Sequence, residues 1–188
     1  MKQTDLSLYN NAPYQPGGSA LKRLLWYYVN WIFLTSGLVP SRAVKVFFLR
    51  LFGAKIGKGV NIKPGVSVKY PWRLTIGHNS WIGENVWIDC LVDVVIGENV
   101  CISQGAVILT GGHDYKKATF DLITRKVILE DGVWICAGGI VNPGVVAASH
   151  AVLTSGSVAN KNLDAWCIYQ GNPAVMVRKR IFSQMKTD

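Results

Sequence analysis

Residues 76–102 read IGHNSWIGENVWIDCLVDVVIGENVCI. An aliphatic–glycine pair opens the stretch at Ile76-Gly77 and returns 20 residues later at Ile96-Gly97; the same pair stands 20 residues earlier at Ile56-Gly57. Between the pairs, aliphatic positions step by six: Ile56, Ile62, Val68; Ile76, Ile82, Ile88; Ile96, Ile102, Ile108. The pattern resumes at Leu129, Ile135 and Val141 and continues through Ala147, Leu153 and Ala159. A six-residue period fits neither the helical period of about 3.6 nor the alternation of a half-buried strand. It fits a prism of three flat faces, each taking six residues and sending one aliphatic side chain inward.

The corners of such a prism fall on Gly57, Gly59, Gly65, Gly77, Asn79, Gly83, Asn85, Gly97, Asn99 and Gly105. Tight corners ask for positive φ, which Gly supplies and Asn tolerates. Residues 111–126, GGHDYKKATFDLITRK, break the period and leave one edge as an excursion. Loops that leave a rigid scaffold commonly carry function.

The net charge of +9 is unevenly placed. From Lys22 to Arg73 there are ten Lys or Arg and no Asp or Glu, while the other 136 residues hold ten basic and eleven acidic groups. The basic segment is also aromatic and apolar. Residues 1–20 predict an extended arm, with no signal peptide near Met1. Residues 21–53 predict two short helices, the second over 42–52 with Ser41 as its cap. The apolar run from Leu24 to Val39 is shorter than the roughly twenty residues that span a bilayer. Aromatic, cationic helices without acids suit a membrane interface, or they cover the open end of the solenoid. Residues 54–170 form the solenoid domain and residues 171–188 a C-terminal helix or tail, with helix expected over 174–185. Nucleic-acid binding is disfavoured because the cations are interleaved with apolar and aromatic residues. Cys90, Cys101, Cys136 and Cys167 form no CxxC pair, so a zinc or thiol-redox site is not expected.

Three segments sharpen the picture: FGAKIGKGVNIKPG (52–65), ISQGAVILTGGHDY (102–115) and GNPAVMVRKR (171–180). With the repeats, they resemble the hexapeptide-repeat O-acetyltransferases, in particular the colanic acid and exopolysaccharide biosynthesis branch. The resemblance implies a mainly β fold, a left-handed parallel β-helix assembled as a homotrimer. It also implies acetyl-CoA as co-substrate, no metal, and a saccharide acceptor, an exopolysaccharide or a lipid-linked oligosaccharide precursor; the basic, aromatic segment of residues 21–53 favours the lipid-linked one, at the cytoplasmic face of the membrane.

Transfer to a hydroxyl needs a base, and an ordinary imidazole titrates near 6.5. In the resembling family the histidine of the excursion motif is that base, which points to His113; Asp114 is a candidate to orient its ring, a role that a backbone carbonyl fills equally well. Asn85 is either a corner residue or an acceptor-binding group. Asp89 and Asp93 are expected as outward carboxylates for sugar hydroxyls. The resemblance places Trp134 beside the acetyl and pantetheine end of coenzyme A. The small residues Ala137, Gly138, Gly139 and Ser155 would let backbone groups meet the pantetheine, and Lys161, Arg178 and Arg180 are candidates for the phosphates because cations pair well with phosphate, the alternative for the arginine cluster being a solvated face. One repeat departs from the family pattern, Ala147-Ala148-Ser149-His150, and this predicts a weaker stack there. The alternatives are a three-histidine zinc enzyme, which the spacing of His78, His113 and His150 does not support, and a non-catalytic β-helical scaffold at the membrane.

Overall fold

The computed structural model describes residues 3–182. The solenoid is a parallel β-helix with three sheets as its faces. Face A stacks Lys55–Ile56, Leu74–Ile76, Val94–Ile96, Val127–Leu129 and Val146–Ala147. Face B stacks Asn61–Ile62, Trp81–Ile82, Cys101–Ile102, Trp134–Ile135, Val152–Leu153 and Cys167–Gly171. Face C stacks Ser67–Val68, Trp87–Asp89, Val107–Leu109, Ile140–Val141 and Val158–Ala159. The aliphatic residues of the six-step are the buried residues of these strands and stack coil on coil. Adjacent strands lie about 4.8 Å apart, so each inward side chain packs on its equivalents above and below.

Along face A the paired inward residues are Ile56, Ile76, Ile96, Leu129, Ala147 and Leu163, spaced by 20, 20, 33, 18 and 16 residues. From face A to B and from B to C the spacing stays at six throughout. All variation in coil length therefore falls at one corner, between faces C and A. This third corner absorbs the two surplus residues of the early coils and the whole excursion.

The corner glycines divide into two kinds. Asn79, Asn85 and Asn99 hold φ of 58°, 56° and 55°, and Gly59 and Gly65 are likewise positive, as the turn argument requires. Gly57, Gly77, Gly83 and Gly97 are not at positive φ. Their reason is close approach: a Cβ on Gly77 would lie 2.5 Å from the carbonyl carbon of Gly97 in the next coil. The recurring aliphatic–glycine pair thus records one residue pointing into the core and one with no room to point anywhere.

The N-terminal end is closed by helix α1 (Ala20–Val29), a wider π turn over Asn30–Thr35, and helix α2 (Arg42–Leu51). Ser19 caps α1 by accepting from Lys22 N at 3.2 Å. Ser41 occupies the N-cap position of α2, but its side chain makes no capping bond. The first coil would otherwise expose bare backbone groups. Trp26 Nε1 donates to Val68 O at 2.8 Å, and Asn30 Oδ1 accepts from Val68 N at 3.1 Å. Gly65 N donates to Leu34 O at 3.1 Å, and Arg50 Nη2 donates to Ile56 O at 2.7 Å. Trp26, Leu34 and Leu49 are buried against that coil. Capping is therefore observed, and the opposite side of the same helices still exposes Leu24, Leu25, Tyr28, Trp31, Phe47 and Leu51. No helix among the described residues is long and apolar enough to cross a membrane.

The C-terminal helix expected over 174–185 is corrected. Ala174–Lys179 is a strand, antiparallel to Cys167–Gly171 at the end of face B. The turn Gly171-Asn172-Pro173 returns the chain, and Ala174–Lys179 pairs with a backbone edge that the last coil leaves open. Residues 183–185 of the expected helix lie outside the described residues. The irregular repeat still makes a coil. Ala147 is fully buried, Ser149 N and Oγ both donate to Glu130 Oε2 at 2.8 Å, and the His150 ring packs 4.1 Å from Trp166.

Lys45 of α2 is fully buried, and its Nζ has no hydrogen-bond partner among the described residues. Burial lowers its pKa from the ordinary 10.5, and the charge of Lys63 adds to the effect. The unfolded chain therefore keeps this proton to higher pH than the folded one, and stability rises as pH climbs from the folded pKa towards 10.5. Lys45→Met removes the unsatisfied ammonium. Thermal melts are expected to show stabilisation of about 1–3 kcal/mol at neutral pH, with a shallower rise in stability at alkaline pH than the wild type.

Candidate active site at the third corner

The excursion leaves face C after Leu109 and folds into a short hairpin, Gly111–His113 against Leu122–Thr124. Its base is closed by Arg125 N donating to Thr110 O at 2.9 Å. The buried Thr110 hydroxyl donates to Asp89 O and accepts from Leu91 N, which ties the hairpin to the coil beneath. A Cβ on Gly111 would meet the tip of the Leu91 side chain, so the strand passes close over that residue.

His113 is presented at the exposed end of that strand. Its Nδ1 is 2.8 Å from Phe120 O, and the Phe120 ring lies parallel to the imidazole at 4.4 Å with a 5° tilt. A carbonyl accepts only, so Nδ1 carries the proton and Nε2 presents its lone pair. Phe120 holds a φ of 50°, rare for a bulky residue. That conformation turns both its carbonyl and its ring towards the histidine. The orienting group is thus a backbone carbonyl, while Asp114 Oδ1 accepts from Lys116 N at 3.1 Å within its own turn.

The N-terminal arm is strapped along the same corner. Arg73 Nη2 donates to Gln15 O at 2.6 Å and Trp72 Nε1 to Pro16 O at 2.9 Å. Tyr14 Oη donates to Leu91 O at 2.7 Å, and burial pushes this phenol up to about 12. Further along, Asp5 N donates to Ala118 O at 2.9 Å, and Tyr9 stands edge-on to His113 at 5.6 Å. Sequence reasoning missed Tyr9 and Phe120. No local pattern marks an aromatic in an aperiodic arm, or one inside a loop, as a neighbour of the histidine.

The expected acceptor residues part company. Asp89 and Asp93 share the third corner with His113. Asp89 is not the outward carboxylate expected: it is buried beneath the hairpin, with Lys69 Nζ 3.5 Å from its Oδ1. Its strand ends there, the next residue Cys90 is fully buried, and Gly111 passes close to the Asp89 carboxylate. Asp93 is outward and lies 3.8 Å from Arg73 Nη1. Asn85 stands at the corner between faces B and C, away from His113 in the same protomer, with its side chain over Gly65.

Trp134 is half exposed on face B, with its indole N–H donating to Ser103 Oγ at 3.0 Å. It lines a cleft of about 550 Å³ with Trp81, Asn79, Asn99 and Arg180. Arg180 Nη1 donates to Gly132 O at 2.9 Å and to His150 O at 3.1 Å, which leaves the rest of its fork at the cleft. Ala137, Gly138, Gly139 and Ser155 stack at the corner between faces B and C. Three of their backbone groups are already used between coils: Gly138 N donates to Gln104 O, Ala137 O accepts from Gly156 N, and Gly139 O accepts from Val107 N, each at 2.9 Å. What they offer a pantetheine chain is chiefly the absence of side chains. Arg178 is exposed on the C-terminal strand, and Lys161 is exposed at the third corner, so one protomer does not bring Lys161 together with Arg180. His78 accepts from Lys58 N at 2.9 Å, and His150 stacks on Trp166; both stand at the corner between faces A and B, and no metal-ligand cluster occurs among the described residues.

The comparisons with known proteins bear on the family and the fold. The chain is 39% identical over 166 residues to WcaF of Escherichia coli K12, named for acetyl transfer in colanic acid biosynthesis, covering 88% of this chain and 91% of that one. The chain belongs to the colanic acid biosynthesis acetyltransferase family. The galactoside O-acetyltransferase of the same organism is 25% identical over 67% of this chain and 64% of its own. A maltose O-acetyltransferase from Clostridium difficile superposes with a TM-score of 0.78 at 22% identity, covering 87% of this chain and 90% of that one. A hexapeptide-repeat acetyltransferase from Vibrio cholerae, solved with acetyl coenzyme A, also superposes at 0.78, with 22% identity and 88% and 92% coverage. These likenesses establish the winding as the left-handed β-helix. No protein-family model matches the chain.

Phe120→Gly keeps the positive φ and the carbonyl but removes the parallel ring. We expect kcat to fall about ten- to hundredfold, a fraction of what a general base contributes, with coenzyme A affinity unchanged in calorimetric titration.

Proposed function

We infer that the protein transfers an acetyl group from acetyl-CoA to a saccharide hydroxyl, with His113 as general base. The observation that carries this reading is the orientation of His113, whose Nδ1 faces Phe120 O at 2.8 Å. Nε2 is then the atom that accepts the hydroxyl proton as the oxygen attacks the thioester carbonyl. The tetrahedral intermediate collapses by breaking the carbon–sulfur bond, and the imidazolium returns the proton to the departing thiolate. A β-helical scaffold without catalysis has no need of a ring clamped this way. Trp134, the small residues of its coil, Lys161, Arg178 and Arg180 are the groups we assign to coenzyme A, shared across the faces of neighbouring protomers in a homotrimer. Separation of Lys161 from Arg180 within one protomer supports that sharing. Asp93 and Asp114 are the polar groups we assign to the acceptor at the rim, with Asp89 held beneath it by Lys69; Asn85, at the far corner of its own protomer, joins an acceptor site only from a neighbouring protomer.

The acceptor we favour is a lipid-linked saccharide at the cytoplasmic face of the membrane. The exposed Trp31, Leu24, Leu25, Phe47 and Leu51 beside the cations of residues 22–73 support that placement. Each cation near an anionic leaflet contributes about 1 kcal/mol.

His113→Ala should lower kcat by about 10²- to 10⁴-fold and leave coenzyme A binding intact by calorimetry. A folded wild-type protein that binds no coenzyme A at millimolar ligand would sink the transferase reading. In flotation with vesicles, the wild type is expected to bind phosphatidylglycerol-rich membranes and to release at high salt, and the double variant Trp31→Ser, Phe47→Ser to stay in solution. Equal recovery of both proteins in the soluble fraction would remove the membrane part alone.

A further inference from the structure

A second cleft, of about 470 Å³, opens between α1 and face C of the first two coils. Its walls carry Arg23 and Lys69, the rings of Tyr27, Tyr70 and Trp87, and the Ser67 hydroxyl; no carboxylate lines it. Trp87 and Tyr27 are 45% and 66% exposed, large flat surfaces that the fold leaves uncovered. Arg23 spends one nitrogen on Gly18 O at 2.8 Å and keeps the rest of its fork. Asn30, by contrast, is fully engaged with Val68 N and the Ser67 and Thr35 hydroxyls, so the polar character of the cleft rests on its two cations.

The position of the cleft matters as much as its lining. On one side it meets α1, whose outer face carries Leu24, Leu25 and Tyr28. On the other it runs into the candidate active site. Trp87 opens the strand Trp87–Asp89, which pairs with Val107–Leu109, and the hairpin begins two residues later. Lys69 spans the two regions through its pair with Asp89 at 3.5 Å. From Trp87 to Gly111 the path is on the order of 15 Å at the usual rise per residue. That distance suits a chain of sugars rather than one ring.

We propose that this cleft is a subsite for a glycosyl phosphate: the phosphate end at Arg23 and Lys69, and the adjoining sugar on Trp87 and Tyr70. Guanidinium and ammonium groups pair with phosphate. The C–H face of a sugar packs flat on an aromatic ring while its hydroxyls stay wet. The proposal rests on the saccharide acetyltransferase reading and deepens it. The acceptor enters with its phosphate towards the cap helices and its acetylated hydroxyl towards His113. Such a phosphate comes from a polyprenyl-linked or a nucleotide-linked saccharide, and the same site chemistry serves both.

The test uses the full-length protein saturated with coenzyme A, so that the coenzyme site is filled. Calorimetric titrations would be run with farnesyl pyrophosphate below its micellar concentration, with UDP-glucose, and with inorganic pyrophosphate as competitor. Saturable binding of farnesyl pyrophosphate or of UDP-glucose, displaced by pyrophosphate, is expected, and the tighter of the two identifies the source. Arg23→Gln should weaken that binding about tenfold and Arg23→Lys should restore most of it. Trp87→Ala should weaken UDP-glucose and leave inorganic pyrophosphate unchanged. Binding of neither probe, or binding that Arg23→Gln does not alter in a protein with wild-type melting temperature, would overturn the proposal. The transferase reading is scored separately in the same preparation by coenzyme A binding and by acetylation of an uncharged galactoside.

Discussion

The structure depends on the stacking of one inward aliphatic column per face, coil upon coil. Each buried side chain packs on its own equivalent in the coils above and below, which fixes the register of every strand at once. The six-residue spacing from face A to B and from B to C is therefore rigid: a residue gained or lost there would turn the next column outward. Only the corner after a completed third face can change length without disturbing a column. Every surplus residue in the chain sits at that corner, from the two-residue insertions of the early coils to the hairpin that carries His113.

That constraint explains why the chemistry is placed where it is. A hairpin emerging from a rigid corner starts from a fixed base, with Thr110 tied to Asp89 and Leu91 beneath. It then needs only one unusual backbone conformation, at Phe120, to set the histidine ring. The N-terminal arm uses the same corner as a track and brings Tyr9 to the histidine from more than one hundred residues away in sequence. The walls around His113 thus combine the regular repeat with two irregular segments, and the repeat provides the fixed frame.

The two ends of the solenoid are closed in different ways. At the start, Trp26, Asn30, Leu34 and Arg50 satisfy the backbone of the first coil, while the same helices keep aromatic side chains on their other side. At the finish, an antiparallel strand takes up the open edge of face B. A helix and a strand solve the same problem of bare backbone hydrogen-bonding groups. Leftover exposed rings at the start of the solenoid are what make the cap side a surface for further contacts.

By itself the sequence determined the solenoid, the six-residue spacing, the place of the excursion and the histidine within it. These are periodic or punctuated features, and a period survives in one dimension. It also marked the aromatic, cationic character of residues 21–53. The tertiary structure decided the rest. Gly77 is required by the backbone of the neighbouring coil, not by its own φ, and a single coil holds no sign of that. Asp89 looked outward from its place in the repeat, yet the hairpin closes over it. Ala174–Lys179 became a strand because an unpaired edge waited for it, and the sequence of the segment alone does not show that edge. Tyr9, Phe120 and the cleft under α1 are juxtapositions of segments far apart in the chain or turned by an uncommon dihedral. Contacts of that kind depend on where the corners and ends bring the backbone, and local pattern has no access to them.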